Sequence, residues 1–85
     1  MEKRRRQGKD RQGKILRFIE EYSHKHHFSP ATREIMEAAG LKTTSTVNFH
    51  LDNLQELGLV TWRKGFPRTV VVTELGKQTL REEAS

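Results

Sequence analysis

Three breakers, Pro30, Gly40 and Gly58, divide this chain into short pieces that have to pack on one another to fold. Pro30 pushes the residue before it out of the helical region, so Phe28-Ser29-Pro30 ends whatever helix precedes it. Gly40 adopts a left-handed backbone at no steric cost and makes Ala39-Gly40-Leu41 a tight turn. Gly58 ends the next helix in the same way. Between these points the text reads as helix, helix, helix, hairpin, short helix.

The first helix is expected over about residues 10–26. Ile15, Ile19 and Tyr22 fall on one stripe, with Leu16 and Phe18 beside it and Arg17, Glu20 and Glu21 outward. Asp10 suits its N-cap, because a carboxylate meets the helix's positive end there. A second helix over about 31–39 turns Ile35, Met36 and Ala39 inward, capped either by Ser29 with Pro30 at the first helical position or by Thr32. Thr43 or Thr44 caps a third, running to about Leu57. Two short helices joined by a glycine turn form a helix-turn-helix.

Leu59–Arg63 and Arg68–Val72 are β-rich runs around Lys64-Gly65-Phe66-Pro67, a link whose glycine and proline predict a hairpin. Thr73 caps a last short helix to about Glu83, with Leu75 and Leu80 as its large apolar residues. The expected fold is mainly α with a small β-hairpin: a winged helix-turn-helix with a three-helix core, a two-stranded wing and a short C-terminal helix. Its parts are a flexible basic arm at 1–9, the winged domain at 10–73 and a terminal helix and tail at 74–85.

Charge is distributed unevenly. Residues 1–14 hold seven basic and two acidic side chains, which equals the net charge of +5 of the 85-residue chain. Lys3, Arg4, Arg5, Arg6 and Lys9 make an arm with no apolar residue after Met1. Such a segment cannot offset its folding entropy and attracts polyanions without regard to sequence. With no cysteine there is no disulfide, thiol nucleophile or thiolate metal site. No apolar run could span a bilayer and no secretion signal opens the chain, so a cytoplasmic location is expected.

The third helix carries the functional argument. At about 100° per residue, Val47, His50, Leu51, Leu54 and Leu57 share one side, while Ser45, Asn48, Phe49 and Asp52 share the opposite side. An ordinary solvent face favours Lys and Glu. Short Ser, Thr and Asn side chains reach base edges only when the helix itself lies in a major groove. Exposed Phe49, expected to have water alone around it, could meet a thymine methyl. The hairpin tip, Arg63 to Arg68, holds three cations and no acid, as a wing gripping phosphates would.

From Phe28 to Leu51 the sequence also resembles the DNA-binding domain of LexA-type repressors. The matching positions are Pro30, Arg33, Glu34, Ile35, Gly40, Leu41, Ser45, Thr46, Val47, His50 and Leu51, within a gapless likeness from about Arg11 to Val72. The resemblance implies a winged helix-turn-helix repressor of operator DNA in the setting of the SOS response. It places base contacts on Thr43, Ser45, Thr46, Asn48 and Phe49, and wing contacts near Lys64 and Arg68. Arg33, Lys42, Thr44 and Arg63 complete the expected phosphate contacts. Phe49 stands where many relatives have Gly or Glu, Ala31 where they often have a Ser or Thr cap, and the basic arm has no equivalent. Relatives of this type carry a second, self-cleaving domain and much of their dimer surface beyond the segment seen here. Self-cleavage is therefore not expected of these 85 residues, and Ala39-Gly40 is read as turn geometry.

His24-Lys25-His26-His27 is read as a solvated helix end, and His50 as a satisfied, half-buried core imidazole. No phosphate loop, no nucleophile paired with a base and no inward carboxylate pair is present, so neither an enzyme, a metal nor a cofactor is expected. The partner is double-stranded DNA, with a palindromic operator engaging a homodimer formed beforehand, through Leu75 and Leu80, or only on DNA. The rival readings are a winged-helix protein-interaction module and a nonspecific DNA binder.

Overall fold

A computed structural model describes the backbone of residues 7–84 and the side chains of residues 11–83. Four helices and one hairpin follow in order: α1 (Gln7–His26), α2 (Thr32–Ala39), α3 (Thr44–Glu56), β1 (Val60–Thr61), β2 (Val71–Val72) and α4 (Glu74–Ala84). The mainly helical winged helix-turn-helix expected from the sequence is the fold observed.

Helix α1 buries Ile15, Leu16 and Ile19 completely, with Phe18 packed against them. It starts at Gln7, so Asp10 is an interior residue and not the N-cap. Gln, Lys and Arg lose little rotamer freedom in a helix, so the polar stretch ahead of Ile15 continues the helix backwards to Gln7. Lys9 accordingly belongs to α1, while Lys3, Arg4, Arg5 and Arg6 of the arm lie outside the described residues. The helix ends at His27, whose φ of 67° is left-handed and whose N–H donates to the Ser23 carbonyl at 2.9 Å. His24, Lys25 and His26 sit in the last turn, against the negative end of the helix dipole.

Neither expected residue caps α2. Ala31 occupies the N-cap and has no side-chain acceptor; instead the Glu34 carboxylate accepts a 2.7 Å hydrogen bond from the Ala31 N–H. That is one half of a capping box, supplied from the third helical position. Pro30 is fully buried beneath this start. At the other end Gly40 (φ 70°) donates to the Glu37 carbonyl at 3.3 Å and Leu41 to that of Met36 at 2.9 Å. The left-handed turn that follows aims α3 across α2.

Of the two threonines open as the α3 cap, Thr43 fills the role: its hydroxyl accepts from the Thr46 N–H at 3.3 Å. Val47, Leu51 and Leu54 are fully buried, with His50 beside them. Leu57, expected on this stripe, is 59% exposed, because the chain leaves the helix there before Gly58 (φ 80°) turns it into the hairpin.

The hairpin ladder is shorter than the apolar runs suggested. Val60 pairs with Val72 and Thr61 with Val71. Beyond them side chains take over the backbone's hydrogen bonds. The Trp62 N–H donates to Gln55 Oε1 at 2.7 Å and the Arg63 N–H to Thr69 Oγ1 at 3.1 Å. Arg68, at φ 58°, ends the extended run on the return leg.

Thr73 caps α4 as expected, accepting from the Gly76 N–H at 3.0 Å and donating to the Gly58 carbonyl at 2.6 Å. Gly76 is buried and packs so closely on Leu59 that a Cβ there would run into the Leu59 carbonyl oxygen. Leu80 belongs to the domain's own core, with Ile15, Val60, Trp62, Val70 and Val72. It is therefore not available to a partner chain, and only Leu75, 51% exposed, keeps that possibility open.

Candidate nucleic-acid interface

The opposed faces of α3 follow from its placement. Burying Val47, Leu51 and Leu54, each worth roughly 1.5–3 kcal/mol, fixes the rotation of the helix about its axis. Ser45, Phe49 and Asp52 are then left exposed, and Thr46 and Asn48 half-buried at the margins. Lys42, Thr43 and Thr44 are exposed on the turn leading in, and Arg33 on α2. The Thr43 and Thr46 hydroxyls lie 2.9 Å apart, so both are partly engaged with each other at the cap. Phe49, 60% exposed, is not surrounded by water alone: its ring meets the His50 imidazole edge-on, with centroids 5.4 Å apart.

His50 is 8% exposed, buried more deeply than the half-buried imidazole expected, and Nδ1 lies 3.4 Å from Gln12 Oε1. Gln12 Oε1 also accepts from Asn53 Nδ2 at 3.0 Å, which ties α1 to α3. Burial, with a smaller contribution from the Arg11 charge, holds the His50 pKa below its ordinary 6.5. Neutral His50 thus supports the helix from behind and takes no place on its outer face.

The three wing cations separate. Lys64 is exposed and has no hydrogen bond or ion pair among the described residues. The Arg63 guanidinium lies over the Phe66 ring, 4.6 Å from its centroid, which restrains it without neutralising it. Arg68 points the other way. Its Nη1 donates to the Ser29 carbonyl at 2.9 Å and to Glu34 Oε1 at 3.2 Å, and lies 3.4 Å from the Tyr22 hydroxyl. Its guanidinium also covers Phe28 at 5.0 Å. The Tyr22 hydroxyl donates to Glu34 Oε2 at 3.1 Å.

Arg68, expected on DNA phosphates, is thus already engaged within the protein, where it fastens the wing to the α1–α2 junction. The Ala31 N–H chiefly, then Arg68 and Tyr22, hold the Glu34 carboxyl below its ordinary pKa against the opposing effect of desolvation. Tyr22 and Glu34 raise that of Arg68.

The wing tip stands beside the first half of α3. Thr32, Thr44 and Asn48 on one side and Trp62, Gly65, Phe66 and Pro67 on the other line a shallow cleft. Of the residues expected on DNA, the cleft thus holds Thr44 and Asn48, and Arg68 is not among its lining residues. Thr32, expected only as a helix cap, and Trp62 were not foreseen at this surface. The available signal was the alternation Val60-in, Thr61-out, Trp62-in, which puts a large ring with a polar N–H at the base of the wing.

Among the described residues no group of His, Cys, Asp or Glu could hold a metal ion, and no helix is long and apolar enough to cross a membrane.

The sequence pattern of the LexA DNA binding domain matches residues 7–69. Similar curated proteins are named LexA repressor. That of Oenococcus oeni is 44% identical over 66 residues, covering 78% of this chain and 31% of the repressor. That of an Exiguobacterium species is 39% identical over 75 residues, 88% of this chain and 36% of the repressor. That of Clostridium perfringens is 34% identical over 73 residues, 86% and 36%. The chain spans about a third of the length of the curated relatives it matches.

Proposed function

Because the chain belongs to the LexA DNA-binding domain family, we propose that it is a sequence-specific module of a transcriptional repressor that binds double-stranded operator DNA. Helix α3 enters the major groove with Thr43, Ser45, Thr46, Asn48 and Phe49 toward base edges. Arg33, Lys42, Thr44, Arg63 and Lys64 approach the flanking phosphates, and Lys3, Arg4, Arg5, Arg6 and Lys9 add attraction that ignores sequence. The observation that carries this reading is the short, polar, exposed side of α3 set directly beside an acid-free wing tip. Long Lys and Glu side chains on that side would hold the helix off the base pairs; Ser45 and Asn48 let it approach.

One domain presents one such helix, so tight binding to a palindrome needs two copies on half-sites about one helical turn, or a multiple of it, apart. Selection from random duplex DNA tests the whole reading, since it reports binding, sequence preference and half-site symmetry together. On the selected site Asn48→Ala should cost about 1–3 kcal/mol and relax the preference at one base pair. An equal loss on every sequence would remove Asn48 from base reading. Recovery of no sequence at any salt concentration would favour a protein-docking role instead.

A further inference from the structure

The cleft between α3 and the wing has a lining that reading bases and gripping phosphates with cations does not explain. Trp62 is 9% exposed, so nearly all of its ring is committed to the core. Its indole N–H is a donor with no accepting capacity, and buried Trp N–H groups normally find a partner. Here it donates to nothing among the described residues; the one hydrogen bond of Trp62 comes from its backbone N–H. Yet no buried side-chain nitrogen or oxygen is left without a partner, so the indole nitrogen reaches the surface. Trp62 lines the cleft together with Thr32, Thr44, Asn48, Gly65, Phe66 and Pro67, and no acidic residue is among them.

Resting on the DNA-binding reading above, we infer that this cleft seats one sugar-phosphate unit of the duplex backbone, with the Trp62 indole N–H as an uncharged donor to the phosphate. Geometry requires some such seat. With α3 in the major groove and Arg63 and Lys64 of the wing at the flanking phosphates, the backbone strand bordering that groove has to pass between helix and wing. That gap is the cleft. Its hydroxyls and indole N–H suit an acceptor-only phosphate, and Phe66 and Pro67 suit the apolar face of deoxyribose. An indole fixed by the core has already lost its rotamer freedom, so its hydrogen bond forms at little further entropic cost. Thr32 joins Trp62 as a second donor.

Trp62 is the only tryptophan of the chain, so its emission reports the cleft directly. The experiment uses the full chain and a duplex selected by it, with DNA binding followed independently by anisotropy of labelled DNA. Each phosphate is replaced in turn by methylphosphonate, for the native chain and for Trp62→Phe, which keeps an aromatic ring and removes the N–H. Trp62→Phe should bind roughly tenfold more weakly, as loss of a hydrogen bond to a charged group implies. The penalty at one phosphate should largely disappear in the variant, and the slope of log K against log salt should not change, because an indole releases no counterion.

Emission of the native protein should shift on saturation with DNA. Should Trp62→Phe not fold, Thr32→Val and the native emission serve in its place, with the same coupling to one phosphate expected. Unmoved emission and additive penalties, with anisotropy still reporting DNA binding, would overturn the cleft and leave the DNA-binding reading intact. Failure to bind any duplex would overturn both.

Discussion

Lys64 and Arg68 stand only four residues apart on one hairpin, both cationic and both exposed, yet they are attached to the molecule in opposite ways. Lys64 projects from the tip with no partner among the described residues, while Arg68 turns back onto Glu34, Ser29, Tyr22 and Phe28. The backbone makes the difference. At φ 58° Arg68 leaves the extended path and swings its side chain toward the α1–α2 junction. A cation in a wing can therefore do either of two jobs, holding DNA or holding the wing, and charge alone does not say which. An isolated exposed ion pair contributes little. Arg68 differs because one guanidinium serves a carboxylate, a carbonyl, a hydroxyl and an aromatic face together.

The largest effect should come from removing the fastening. Arg68→Ala is expected to lower the thermal midpoint and to abolish the hydrogen-exchange protection of the wing amides, the Arg63 N–H among them. DNA affinity should fall as well, because Lys64 and the cleft are no longer held beside α3. The salt dependence of that weaker binding should stay the same, since no phosphate contact is removed. A thermal midpoint left unmoved, together with a shallower salt slope, would show that Arg68 works on DNA after all.

The converse substitution is expected to have a smaller effect. Lys64→Ala should leave the thermal midpoint unchanged and weaken binding to all duplexes alike. The slope of log K against log salt should lose about 0.9, the value of one phosphate contact on B-DNA. Stability and salt slope measured on both variants thus form a two-by-two test, in which each substitution should move one quantity and spare the other. A Lys64→Ala chain with an unchanged slope would take that side chain off the backbone.

What could be read in advance follows the same division. The helices were legible because apolar residues at helical spacing, such as Val47, Leu51 and Leu54, have no alternative to burial. The turns were legible because Gly40 and Gly58 are needed where φ is positive. The face of α3 followed from the same spacing, since fixing one side exposes the other.

What stayed hidden depends on residues distant in sequence meeting in space. Glu34 caps a helix that begins at alanine, and Gln55 and Thr69 take hydrogen bonds that a longer ladder would have used. Arg68 finds partners 34 to 46 residues away. Leu80 was expected, with Leu75, at a dimer contact, but Gly76 lets α4 approach closely enough to bury it in the domain's own core. The cleft at Trp62 required both the wing and α3 to be in place.

The smallest effect, and the sharpest on the Arg68 side of the comparison, is the dependence of stability on acid. Glu34 and His50 both have folded-state pKa values below their ordinary ones, so each contributes stability that is complete above the ordinary pKa and is lost as pH falls through the lowered value. For His50 the loss begins below pH 6.5, and for Glu34 below pH 4.5. Urea midpoints measured across this range should therefore decline in two stages. His50→Gln should remove the upper stage alone and Glu34→Gln should reduce the lower one. Arg68→Ala then apportions what remains. The Ala31 N–H, more than Arg68, holds the Glu34 carboxyl down, so the greater part of the lower stage should survive loss of the guanidinium. If it vanished with Arg68, the carboxylate would owe its ionisation to the wing, and fastening the wing, more than starting α2, would be its principal role.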